Sequence, residues 1–253
     1  MAYRWVILVL GMLAYMTSYF ARSNYTGIAK FVSADLGLDK TSLGVMGAAF
    51  FYAYALAQMP WGIAADRWGN RKAVGTGILL TAATIWGFST SHSYTELKIW
   101  RVLNGVAGAA AYVGMAGALS RWFPPQERGF SQAIFSGVGG AAGETAANLL
   151  LPVLIVYAGS SWRGSTQLMS AVIAVIGLAC LLFLKSAPAE TPATEPKPFD
   201  GEMVRDPRLW HLTALYSGFI IALRIIPPWL PLFAADIYLS RGMSLERNRK
   251  SVV

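Results

Sequence analysis

The chain has 253 residues, of which 55% are hydrophobic and only 13% charged, against roughly 25% charged in soluble domains. That balance excludes a soluble enzyme and marks an integral membrane protein. The formal net charge of +8 falls mostly in short segments between apolar runs, where it reports membrane orientation rather than affinity for nucleic acid or an acidic partner.

The first apolar run covers residues 5–28. Arg4 before it would suit a signal peptide, but the run is too long and continues into Tyr19-Phe20-Ala21-Arg22-Ser23-Asn24, so a retained helix is expected. Further runs cover residues 43–65, 73–91, 99–120, 130–157, 166–184 and 209–235, each close to or above the roughly 20 apolar residues that a crossing helix needs. None alternates as a barrel strand does, and a bilayer offers the backbone no water, so the runs must be helices. The expected fold is an all-α polytopic bundle with about seven spans.

Positive residues in short loops stay cytoplasmic. With the N-terminus inside, Arg4, Arg67, Arg71, Lys72, Arg121, Arg128, Lys185, Lys197, Arg205 and Arg208 are cytoplasmic; Lys30, Lys40, Lys98, Arg101 and Arg163 lie opposite. The first set is the larger, which predicts a multi-pass protein of the plasma (inner) membrane with a cytoplasmic N-terminus. Residues 186–206 read SAPAETPATEPKPFDGEMVRD, a Pro/Glu/Thr-rich linker without apolar period. The expected division is a six-helix bundle at 1–185, a cytoplasmic linker at 186–207, and a seventh helix with a basic tail at 208–253. Arg241, Arg247, Arg249 and Lys250 in that tail would fall on the outer side, against the charge rule, as in a fragment or frameshifted end.

Between the second and third runs stands Gly62-Ile-Ala-Ala-Asp66-Arg67-Trp-Gly69-Asn-Arg71-Lys72, read as a tight polar loop. It resembles the G-x-x-x-D-R-x-G-x-R-K signature of major facilitator transporters, with Asn70 where another basic residue is common. Arg101-Val-Leu-Asn104-Gly105 is similar to that family's R-x-x-x-G motif. Trp122-Phe-Pro-Pro-Gln-Glu-Arg-Gly129 and Trp162-Arg163 resemble segments of its organic anion and sugar-phosphate members. The resemblance implies two inverted three-helix repeats in the six-helix half and transport by rocking of two bundles, with no enzymatic activity and no cofactor. The implied gate comprises Asp66, Arg67, Gly69, Arg71 and Arg121. Asp66 would pair with Arg121 at one face, whereas Lys72 reads as a simple cytoplasmic anchor.

Charges inside a span cost about 2.5–3.5 kcal/mol on insertion scales, so each needs a reason. Arg22 in the first span and Arg224 in the seventh would face one cavity, an arrangement similar to the paired arginines of organophosphate:phosphate antiporters. A planar guanidinium suits phosphate or carboxylate; the plainer reading has both arginines snorkelling to an interface. Glu144 in the fifth span, with Asn148 one turn on, is open to three readings: proton coupling, neutralisation of Arg22, or structural hydrogen bonding. Tyr25, Tyr52, Tyr54, Gln58, Asn104 and Tyr112 are softer cavity candidates, since such groups often satisfy one another. Cys180 reads as packing, and His92 and His211 lack partners at metal spacing. No P-loop is present and no channel filter motif stands out.

The expected function is secondary active transport of a small anion across the bilayer. The alternative is a half-transporter acting as an assembly partner, or one completed by a homodimer or a separately encoded C-terminal half.

Overall fold

The computed structural model describes residues 3–157, 159–187 and 205–220. Six helices make up the first of two compact units, Met1–Thr194: α1 (Tyr3–Leu36), α2 (Lys40–Trp68), α3 (Asn70–Ser89), α4 (Tyr94–Trp122), α5 (Pro125–Tyr157) and α6 (Trp162–Phe183). All but α3 are both long and apolar enough to cross a membrane. The 20 residues of α3 still span about 30 Å, the thickness of the hydrocarbon core. In the second unit, Glu195–Val253, residues 207–220 are helical, with the Asp206 carboxylate accepting from the Arg208 N–H at 2.9 Å. Arg224, the rest of the expected seventh span, most of the linker and the basic tail lie outside the described residues.

Helix starts are written locally. Asp39 accepts from the Ser42 N–H at 2.8 Å, Ser93 from that of Glu96 at 3.3 Å, and Ser161 from that of Gly164 at 3.0 Å, each meeting a donor that the first turn leaves orphaned. Hydrogen bonds from Ser42, its side chain first and then its backbone, hold the Asp39 carboxyl below the usual carboxylate range. Pro124 and Pro125 open α5, a place where a missing N–H costs nothing.

The helices alternate in direction. At one end Arg4 pairs with Glu127 at 3.1 Å and the Trp122 indole donates to the Lys185 carbonyl at 2.8 Å. At the other, Arg163 and the Trp162 indole both donate to Asp35, and Arg163 also donates to the Ser91 carbonyl at 2.9 Å. The core between them is apolar, including Ile7, Ala14, Ile28, Met46, Val74, Met115 and Phe135. Lipid tails are as apolar as these side chains, so close packing rather than water exclusion holds the bundle. Small residues provide it: a Cβ on Gly143 would strike the Met16 carbonyl, and one on Gly105 the Phe50 carbonyl.

Two features differ from the sequence reading. The helices are longer than the apolar runs; α1 has 34 residues, about 51 Å at 1.5 Å per residue, and so overreaches the hydrocarbon core. The polar loop is reduced to one residue. Asp66 and Arg67 belong to the last turn of α2 and Arg71 and Lys72 to the first of α3, joined through Gly69 at φ 83°, a conformation that favours glycine. In addition, α5 contains two π-helical turns, Ile134–Val138 and Ala146–Leu150. Pro152 accounts for the second, since it lacks an N–H and its ring crowds the carbonyl four residues before it.

Candidate functional site

Arg22 lies near the midpoint of α1. Its guanidinium carbon stands 3.7 Å from the centre of the Tyr19 ring, and its Nη2 is 3.5 Å from Glu144 Oε2 on α5. That Nη2 is buried and makes no hydrogen bond among the described residues. Beside it is a cavity of about 40 Å³ lined by Tyr15, Ser18, Tyr19, Arg22, Phe51 and Tyr54. An aromatic wall continues along α1, α4 and α5, with Tyr15 at 4.8 Å from Tyr19, 5.3 Å from Tyr112 and 4.8 Å from Phe135. Snorkelling does not describe Arg22: it is paired in the middle of the bundle. Of the three readings open for Glu144, the geometry displays the pairing with Arg22. Asn148 donates to the Glu144 carbonyl at 2.9 Å.

Tyr54 lines the Arg22 cavity and stacks on Phe50 at 5.8 Å. Tyr25 is used elsewhere, donating to the Leu43 carbonyl at 2.9 Å. Asn104 is buried and donates to the Thr84 hydroxyl at 2.8 Å, tying α4 to α3. Gln58 is half-buried on α2, while Tyr52 is 74% exposed on the same helix and does not line the cavity. Among the gate candidates, Asp66, Arg67 and Arg71 are exposed and Gly69 and Arg121 half-buried at the same end of the bundle. Asp66 and Arg121 make no ion pair with each other among the described residues. Asn70, the departure from the signature, is buried and donates to the Gly114 carbonyl at 2.6 Å, fastening α3 to α4.

One assignment needs correction. Arg101, counted above with outer-side loop charges, is 2% exposed. Because α4 begins at Tyr94, Arg101 falls in its second turn and points at α1. Its Nη1 donates to the Ala21 carbonyl at 2.9 Å and to Asn24 Oδ1 at 3.2 Å, and its Nη2 to the Arg22 carbonyl at 3.2 Å. The Tyr25 and Phe50 rings lie 4.7 and 4.6 Å from it. Arg101 thus holds the stretch of α1 that carries Arg22. The signal was present in the sequence as an arginine one turn before Gly105, but the spacing alone does not say which helix it grips.

Antiparallel membrane-length helices around a paired arginine and glutamate define a polytopic helical membrane protein with an ion pair near the middle of its first helix. The Major Facilitator Superfamily profile matches residues 11–246, and the chain belongs to that family of membrane transporters. It is 30% identical over 193 residues, 73% of its length and 42% of the relative's, to a probable sulfoacetate transporter of Cupriavidus necator. It is 27% identical to a probable hexose phosphate transport protein of Chlamydia pneumoniae, covering 70% of this chain and 38% of that one. To a hexuronate transporter of Bacillus subtilis it is 25% identical over 92% of its own length and 56% of the relative's. The chain therefore spans about half the length of these curated relatives. In fold it is similar to a bacterial homologue of the human lysosomal transporter Spinster in an inward-facing state, with a TM-score of 0.66 at 19% identity over 79% of this chain and 46% of that one. A D-xylose–proton symporter gives 0.54 at 15% identity, over 85% and 52%.

Proposed function

We propose that this protein carries a small organic anion by secondary active transport, with Arg22 as the group that binds the anion. The observation that carries the proposal is a guanidinium at mid-bundle, oriented by the Tyr19 face and opening on a cavity edged by Ser18 and the tyrosines Tyr15 and Tyr54. Such a fork pairs with carboxylate, sulfonate or phosphate oxygens and stays charged. The relatives' names speak of sulfoacetate, hexose phosphate and hexuronate, all anions, which supports the same class here. The end of the bundle bearing Asp66, Arg71 and Arg121 is proposed as the gate of the site. With Arg101 removed from the outer set, the balance of Lys and Arg still supports a cytoplasmic N-terminus in an inner membrane. Rocking requires a second bundle opposite Arg22.

The test is uptake into proteoliposomes of labelled sulfoacetate, glucarate, glucuronate and glucose 6-phosphate. Arg22→Ala is expected to abolish uptake, and Arg22→Lys to lower it about tenfold, the loss of roughly 1.4 kcal/mol when a fork becomes a point charge. Normal uptake by Arg22→Lys overturns the assignment of Arg22.

A further inference from the structure

We propose that Glu144 occupies Arg22 in place of the substrate's anionic group, so that substrate and Glu144 compete for one guanidinium. The inference deepens the anion-transport reading and rests on it.

Three observations carry it. The ion pair is loose: Glu144 Oε2 stands 3.5 Å from Arg22 Nη2, beyond the roughly 2.7–2.9 Å of a strong charged hydrogen bond, and that nitrogen is buried without any hydrogen bond among the described residues. An incoming oxygen at closer range would supply what Glu144 does not. Second, Arg22 does not need Glu144 to hold its place. The Tyr19 ring lies against the guanidinium at 3.7 Å, and Arg101 grips the Arg22 carbonyl at 3.2 Å. Third, the adjoining cavity of about 40 Å³ has room for only a few waters, each needing roughly 10–15 Å³ on that measure. A sugar acid or sulfonate needs more room at Arg22, and since Glu144 stands at Nη2 without lining the cavity, an anion that takes that nitrogen displaces the glutamate.

The helix carrying Glu144 is built for such a displacement. Gly139–Thr145 is a short α-helical stretch between the π turns Ile134–Val138 and Ala146–Leu150. Exchanging bonds to the fifth residue back for bonds to the fourth turns the intervening stretch without leaving the helix, which is why π turns recur at functional sites. Gly143, packed on the Met16 carbonyl, leaves turning rather than approach toward α1 as the available motion.

The experiment measures binding of sulfoacetate, glucarate, glucuronate and glucose 6-phosphate to the full chain in lipid nanodiscs, for wild type, Glu144→Gln, Glu144→Asp and Arg22→Ala. A probe that binds wild type is expected to bind Glu144→Gln about tenfold more tightly, Glu144→Asp as wild type, and Arg22→Ala not at all. Glu144→Ala gives the same reading as Glu144→Gln if the amide fails to insert. Equal or weaker binding by the neutral variants, with binding still lost in Arg22→Ala, overturns the competition and leaves the transport reading standing. Binding retained by Arg22→Ala, or absent from every form, overturns the anion reading and the competition with it.

Discussion

Replacing Arg101 with lysine keeps the charge and removes the fork. In the native bundle the guanidinium makes three charged hydrogen bonds to α1 and lies between two rings. An ammonium at the end of a shorter stem reaches one of the three acceptors, so about two bonds of roughly 1.5 kcal/mol each are lost. Two guanidinium–ring contacts add roughly 0.5–1 kcal/mol apiece. The α1 carbonyls retain their helical partners, which trims the total, and the expected loss is about 3–4 kcal/mol. Reversible unfolding in mixed dodecyl maltoside and dodecyl sulfate micelles, followed by circular dichroism, measures it against wild type. Because one bond ends on the Arg22 carbonyl, anion binding should weaken as well. A variant within about 0.5 kcal/mol of wild type, the range of an inconsequential surface change, refutes the idea that Arg101 organises α1.

The contact between α1 and α5 is equally sensitive. Gly143→Ala sets a methyl against the Met16 carbonyl and the Tyr19 side chain and should cost about 1–3 kcal/mol, as overpacking does, in the same unfolding assay; a neutral result would mean the helices part more easily than their packing implies. At the opposite end from Arg4, Arg163→Ala removes the ties of α6 to Asp35 on α1 and to the Ser91 carbonyl just beyond α3, and Asp35→Asn removes the first of these. Melting temperatures of the singles and the double should be strongly non-additive, and additive losses would show that the two side chains do not act through one another.

The helices were legible because charge is so costly inside a bilayer that uncharged runs mark them directly. The same cost made Arg22 and Glu144 conspicuous, and the structure brings these two together. Arg101 escaped because it stands at the edge of an apolar run, where a loop arginine and a buried one look alike in sequence. Its burial depends on α1 and α2 passing close enough to bring the Ala21 and Arg22 carbonyls, Asn24 and the Phe50 ring to it. Asn104 shows the converse: an amide in a span signals only that a partner exists, and Thr84 on α3, not the cavity, provides it. Asn70 reads as a lapse from a motif until Gly114, across the interface, gives it a bond to make.

Gly69 leaves no slack between two helices of 29 and 20 residues. The far side of the joint is moored, through Asn70 to α4 and through the Arg71 N–H, which donates to the Ser186 hydroxyl at 3.1 Å. Any tilt of α2 is therefore concentrated in the torsions of one residue, which acts as a knuckle with α2 as its lever arm. An L-residue side chain there would confine the knuckle to negative φ, locking the lever at an angle this bundle does not use.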